Sequence, residues 1–145
     1  MAKTSASVSV DLSPDDVFAA VSDLSRFDEW LILHGGWGDE VPVSDELVAG
    51  TRASSVVSAK GTPIGFDWVI DTFDRPRRIR FSGKAKGGVK AKIDLTIESV
   101  RDGSTLTFVL DLGGLPLIGP AGKLAVKTLH PDVEESLKQF AEVFG

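Results

Sequence analysis

An alternation of apolar and polar residues runs through the middle of the chain and then gives way to a helical period. From Thr51 to Leu112 apolar residues recur at every second position, with turn signals between the runs, as in strands that bury one face. From about Pro120 onward they recur on one face of a helix; these are Val126, Leu129, Val133, Leu137, Phe140 and Phe144. The alternation and the helix together predict an antiparallel sheet whose apolar face packs on a long terminal helix.

The N-terminal part predicts one further strand followed by two short helices. Residues 4–12 alternate as a half-buried strand does. Ser13 is suited to cap a first helix that begins at Pro14, and a second brief helix includes Phe27 and Trp30. Residues 39–50 are polar and rich in turn formers, so we assign them little structure, and Gly87-Gly88 predicts a two-residue hairpin turn.

Composition excludes several classes of protein. At 145 residues the chain is expected to form a single domain over residues 1–145. It contains no cysteine, which excludes disulfides and thiolate catalysis and fits a cytoplasmic location. The formal net charge of −5 argues against a nucleic-acid partner. No apolar run is long enough for a membrane span, and no signal peptide is expected.

The order of elements and three segments point to a known superfamily. The segments Val17–Leu24, Asp28–Trp30 and Glu135–Phe140 resemble those of the START-like superfamily, also called SRPBCC, which includes polyketide cyclase/dehydrase-like and birch-pollen-allergen-like proteins. The resemblance implies an α+β helix-grip fold. In this fold a curved antiparallel sheet of about six or seven strands wraps around a long C-terminal helix, with two short helices after the first strand.

Other segments are similar to those of an actinobacterial subgroup of this superfamily. They are Trp30–His34, Gly87–Lys90, Leu112–Gly114 and Ile118–Pro120. Some members of the subgroup bear the name of the toxin of a type II toxin–antitoxin pair. This resemblance implies a possible protein partner, an antitoxin, but no residue of the chain supplies a mechanism of toxicity.

The superfamily implies an apolar cavity between sheet and helix. Its members bind lipids, sterols, polyketides or hormones, and some cyclise or dehydrate polyketides. Alternation assigns the inward-facing residues of the strands, and helical phase assigns those of the last helix. The predicted ligand-binding residues are Trp30, His34, Phe66, Trp68, Ile79, Phe81, Ile93, Leu95, Leu106, Phe108, Leu110, Leu129, Val133 and Leu137.

The two histidines are the main candidates for polar chemistry. His34 lies between Trp30 and Trp37 beside three glycines, and the fold places this region near the cavity mouth. It is a weak candidate for an acid–base group and is otherwise an ordinary loop histidine. His130 falls at the edge of the buried helix face. The two histidines have no third ligand at a recognised spacing, so we expect no metal site and no cofactor.

The remaining polar candidates are few. Thr51, Ser55 and Thr62 could enter the cavity from a weakly apolar strand. Asp67 and Asp71 are expected on the outer face of the sheet, where Arg78, Arg80, Lys90 and Lys92 could pair with them.

The leading hypothesis is a protein that binds or carries a small hydrophobic molecule, lipid- or polyketide-like, in the cavity. One alternative is an enzyme of the polyketide cyclase or dehydratase type with His34 as its acid–base group. This alternative is weakened because the predicted lining is almost wholly aliphatic and aromatic. The other alternative is the toxin of a toxin–antitoxin pair.

Overall fold

The computed structural model describes residues 2–38, 41–42 and 46–145. Within these residues the strands are β1 (Ala2–Val10), β2 (His34–Trp37), β3 (Arg52–Ala59), β4 (Thr62–Asp74), β5 (Arg78–Ala85), β6 (Lys90–Val100) and β7 (Gly103–Gly113). The α-helices are α1 (Pro14–Ser22), α2 (Phe27–Trp30) and α3 (Pro120–Phe144). Short 3₁₀ helices span Leu24–Arg26, Lys86–Gly88 and Leu115–Leu117.

The strands form one curved antiparallel sheet in the order β1-β7-β6-β5-β4-β3-β2. The first strand therefore forms one edge of the sheet and pairs with the last strand. Helix α3 packs against β1 and β7 and also contacts α2. The predicted helix-grip architecture is confirmed, including the two short helices after β1. The single-domain organisation stays a prediction.

Alternation produces the buried face of the sheet as expected. In β7 the buried residues occur at every second position from Ser104 to Leu112. The matching face of β6 buries Ala91, Leu95 and Ile97. Helix α1 begins where the sequence indicates, because the Ser13 hydroxyl accepts a hydrogen bond of 3.2 Å from the backbone N–H of Asp16.

Helix α3 runs without interruption through Pro131. Proline removes one backbone donor, but the exposed position of Pro131 keeps its ring off the sheet. The buried residues of α3 lie on the face that the sequence predicts: Gly122, Val126, Leu129, Val133, Ser136, Leu137 and Phe140.

Two local predictions are wrong. His34–Trp37, expected as a loop, forms the edge strand β2, which pairs with β3 through a bulge between His34 and Gly36. The β5–β6 connection is the three-residue turn Lys86–Gly88 and not a two-residue turn, because the N–H of Ala85 bonds the carbonyl of Val89 at 2.9 Å.

The region assigned little structure, residues 39–50, lies partly outside the described residues, which omit 39, 40 and 43–45. Of its described part, Leu47 is buried in the core. The backbone N–H of Gly50 donates a hydrogen bond of 2.7 Å to the carbonyl of Ile70. The end of this region is therefore attached to the sheet.

Candidate ligand-binding cavity

A cavity lies between the concave face of the sheet, helix α3 and the segment that contains α2. The wall consists of Leu24, Phe27, Trp30, Leu31, Leu33, His34, Trp37, Pro42, Thr51, Ala53, Ser55, Val57, Phe66, Trp68, Ile70, Phe81, Ala91, Ile93, Leu95, Phe108, Leu110, Leu112 and Leu129. The lining is almost wholly apolar. Apolar cavities with a few polar groups are the usual form of small-molecule sites.

The free volume of this cavity is larger than that of an ordinary packing defect. Counted as the space open to the centre of a water molecule, it is about 70 Å³, several times what one water requires. An interior packed throughout would leave few voids larger than one water. The helix grip is therefore incompletely filled on this side.

Two stacked aromatic rings form a flat part of the wall. Phe66 and Trp68 have ring centroids 5.1 Å apart and planes inclined by 20°. The indole N–H of Trp68 donates a hydrogen bond of 2.8 Å to the Ser55 hydroxyl on β3. On β5, Gly83 lies opposite Trp68, and a Cβ built on this glycine would lie 2.5 Å from the ring. Only glycine at this position lets the indole lie against the sheet.

A second aromatic group surrounds His34 at the α2 end of the cavity. The imidazole centroid lies 4.9 Å from the Trp37 ring and 5.9 Å from the Phe27 ring. Burial lowers the pKa of His34 below 6.5, and the charge of Asp28 opposes the shift only in part. The imidazole is therefore neutral near pH 7.

Hydrogen bonds attach this end of the cavity to its surroundings. The indole N–H of Trp37 donates to the carbonyl of Leu24 at 2.8 Å. The buried Ser136 hydroxyl of α3 accepts from the N–H of Ile32 at 2.9 Å. Also on α3, the amide of Gln139 donates to the carbonyl of Glu29 at 2.9 Å. These bonds fix α2 and the start of β2 relative to the sheet and α3.

Most of the predicted ligand-binding residues lie on the cavity wall. They are Trp30, His34, Phe66, Trp68, Phe81, Ile93, Leu95, Phe108, Leu110 and Leu129. Their role in ligand binding stays a prediction.

Four predicted residues do not lie on the wall: Ile79, Leu106, Val133 and Leu137. All four are buried in the continuous core. Helix α1 packs against β6 and β7, and its buried Phe18 and Val21 join the core there. That part of the helix grip is packed with side chains, which alternation along the strands cannot reveal.

Several wall residues were not singled out from the sequence. They are Leu24, Phe27, Leu31, Leu33, Trp37, Pro42, Ala53 and Val57. A signal existed for Ala53 and Val57, because both share a strand face with Ser55. Most of the others lie in the α2–β2 region, where short elements give no clear period.

The polar candidates fall in different places. Thr51 and Ser55 lie on the wall, but Thr62 is exposed at the start of β4. His130 lies at the flank of α3, as predicted. Its Nδ1 is 2.6 Å from the Thr4 hydroxyl, and its Nε2 is 3.0 Å from a carboxylate oxygen of Glu134.

The prediction that Asp67 and Asp71 form cross-strand ion pairs on the outer face is wrong. Asp67 and Asp71 accept hydrogen bonds from Ser54 and Ser82. Arg78 pairs instead with Asp94 on β6. The Nε of Arg78 donates a hydrogen bond of 2.9 Å to one carboxylate oxygen of Asp94.

The described residues contain no group of three or more histidine, aspartate or glutamate side chains placed to hold a metal ion. No helix in the described ranges is both long and apolar enough to cross a membrane.

Comparison with known proteins agrees with this geometry. The model of the family described as "Polyketide cyclase / dehydrase and lipid transport" matches residues 1–145. The chain belongs to this family.

Two relatives from Mycobacterium tuberculosis match over the whole chain. It is 40% identical to "Uncharacterized protein Rv1546" over 145 residues, covering 100% of both chains. It is 37% identical to "Toxin Rv0910", covering 100% of this chain and 99% of the relative.

Solved structures share the fold at low sequence identity. A START superfamily protein from Mycobacterium smegmatis has a TM-score of 0.74 at 17% identity, covering 99% of both chains. TTHA0849 from Thermus thermophilus has a TM-score of 0.76 at 19% identity, covering 97% of this chain and 95% of that one. At these identities the similarity defines the fold alone.

Proposed function

We propose that the protein binds a small, mostly hydrophobic molecule in the cavity between the sheet and α3. The observation that carries the proposal is a void of about 70 Å³ with an almost wholly apolar lining. The family's description, which includes lipid transport, supports the same conclusion. The cytoplasmic location predicted from the sequence is part of the proposal.

The wall favours a ligand with a flat ring or a short acyl chain. The stacked rings of Phe66 and Trp68 offer a flat surface, and Leu110 and Leu129 offer aliphatic ones. Burial of a few hundred Å² of apolar ligand surface gains about 5–10 kcal/mol before association costs. Because association costs are subtracted from this gain, a dissociation constant of micromolar or weaker is expected.

Native mass spectrometry of gently purified protein, followed by organic extraction, tests the proposal. The expected result is an additional mass that disappears on denaturation and is recovered in the organic phase. If the protein carries no such mass and also fails to bind N-phenylnaphthylamine added in excess, the proposal is wrong.

A second candidate function is that of a toxin. The observation that favours it is the 37% identity to a protein named "Toxin Rv0910". Controlled expression in a host bacterium tests it. A toxin should arrest growth, and co-expression of the product of a short neighbouring gene should relieve the arrest. Normal growth at high expression would exclude this function in that host.

The enzymatic alternative depends on His34. Its imidazole lies on the cavity wall, and burial lowers its pKa, so a neutral base is available near pH 7. Of the other polar side chains on the wall, Ser55 already accepts a bond from Trp68, which leaves few groups to orient a poly-ketone. If His34→Ala left turnover of a candidate polyketide unchanged, His34 would have no catalytic role.

A further inference from the structure

Three aliphatic side chains project into solvent where β7 leads into α3. Leu115 is 81% exposed, and Ile118 and Leu124 are each 66% exposed. Single exposed apolar residues are common on protein surfaces. Three within ten positions, with the half-buried Leu117 among them, form a cluster that water solvates poorly.

Lysines surround this cluster. Lys123 and Lys127 are exposed on the first turns of α3, on either side of Leu124 in the sequence. Lys86 and Lys90 are exposed at the β5–β6 turn. That turn touches the cluster, since a Cβ built on Gly88 would lie 3.8 Å from the Pro116 ring. The aliphatic cluster and these four lysines are called the basic apolar end below.

The charge of this end is opposite to that of the whole chain. The chain has a formal net charge of −5, yet residues 75–93 and 112–131 contain no aspartate or glutamate. On adjoining strands, Asp111 lies 3.9 Å from the Lys3 ammonium, and Asp67 accepts a hydrogen bond from Ser54. The outer face of α3 becomes acidic further on, at Glu134–Glu135 and Glu142.

The lysines of the basic apolar end have no anionic partner within the described ranges. Elsewhere Lys60 pairs with Asp132 at 3.1 Å, and most arginines also form ion pairs. Among the described residues, no ion pair involves Lys86, Lys90, Lys123 or Lys127. Their charges are therefore available to an external anion.

We infer that the basic apolar end docks on an anionic lipid bilayer. Exposed aliphatic side chains can enter the boundary between headgroups and acyl chains, while flexible lysines contact anionic headgroups. The acidic second half of α3 would be repelled from the same surface, which orients the molecule. A bilayer fits better than a folded protein because exposed aliphatic residues and unpaired lysines occur together at this end, whereas the core of a protein interface is depleted of lysine.

This inference goes beyond the proposed function and does not depend on it. The two sites are nevertheless adjacent. Ala91 and Leu112 face each other on the cavity wall, and the next register pair contains Lys90 of the basic apolar end. A molecule that moved between bilayer and cavity would have a short path.

Co-sedimentation with lipid vesicles tests the docking. The protein should bind vesicles of mixed phosphatidylglycerol and phosphatidylcholine, bind phosphatidylcholine alone weakly, and dissociate as salt is raised. Lys123→Glu/Lys127→Glu should weaken binding at least about 25-fold, at about five-fold per lysine. Leu115→Ser/Ile118→Ser should weaken it at least about ten-fold. Unchanged urea midpoints would show that these variants are folded.

Two single variants elsewhere on the surface control for substitutions of the same kind. Lys138→Glu changes an exposed lysine on the distant half of α3. Val100→Ser removes an exposed valine at the opposite end of β6, about 30 Å away. Both should bind the anionic vesicles as the wild type does.

Three results would overturn the inference. The first is no binding of the wild type to anionic vesicles. The second is an equal loss in the control variants. The third is a wild-type dimer that the Leu115→Ser/Ile118→Ser variant dissociates, which would make this end a surface for a second copy of the chain.

Discussion

The indole nitrogen of Trp68 donates a 2.8 Å hydrogen bond to the Ser55 hydroxyl across the β3–β4 pair. Both side chains are buried and lie on the cavity wall. Because the bond satisfies the only donor of the indole, Trp68 presents its ring to the interior without an unpaired polar group. This pair explains how β3 contributes a serine to an almost wholly apolar lining.

Replacing Ser55 by alanine should destabilise the protein. The buried indole N–H would lose its acceptor, which typically costs about 1–3 kcal/mol. Urea denaturation measures this change in the free energy of unfolding. Ser58→Ala, on the outer face of the same strand, is the control and should change stability by less than about 0.5 kcal/mol. Equal effects of the two substitutions would contradict the assigned role of Ser55.

Gly83→Ala should displace Trp68. A Cβ at this position would lie 2.5 Å from the indole ring, so the ring must move toward the cavity or the strands must separate. We expect a loss of about 1–3 kcal/mol in stability and a shifted tryptophan emission. Gly65→Ala, on β4 with no atom within 4 Å of the added methyl, should leave the emission unchanged. An unshifted spectrum for Gly83→Ala would show that the contact is not tight.

Stability should decrease on acidification partly through His34. Burial lowers its folded-state pKa below 6.5, so between that pKa and 6.5 the unfolded chain binds more protons than the folded protein. The contribution is intact above 6.5 and is lost as pH falls through the folded-state pKa.

Urea midpoints measured from about pH 8 to about pH 5 test this effect. His34→Gln should show a smaller loss of stability across this range than the wild type. His130→Gln, which alters the flank of α3, should retain the His34-dependent part of the loss. Parallel curves for the wild type and His34→Gln would contradict the burial of a neutral imidazole.

The fold followed from the sequence because its elements are long and regular. The alternation through β6 and β7 and the helical period from Val126 to Phe140 each extend over many residues, so isolated exceptions do not hide them. Strand β2 escaped prediction because Gly35 and Gly36 have low strand propensity. It forms through pairing with β3, and such a tertiary contact leaves no periodic signal.

The cavity wall could be predicted only in part, since period alone identifies an inward face but not how deeply it is covered. Phe81 and Ile79 lie on the same face of β5 and are both buried, yet only Phe81 reaches the cavity. The difference arises from the packing of α1 against the neighbouring strands. Similarly, the pairing of Arg78 with Asp94 depends on strand register, which the sequence does not specify uniquely.

A fluorescence titration with N-phenylnaphthylamine, on the wild type and on Ala53→Leu, tests the central claim most directly. Ala53 lies on the cavity wall, and its replacement puts an isobutyl group into the void. Ala19→Leu, on the exposed face of α1, is the control. We predict the same dissociation constant, micromolar or weaker, for the wild type and the control, and at least about ten-fold weaker binding by Ala53→Leu. Equal binding by all three proteins, or no binding by the wild type, would contradict a ligand-binding cavity.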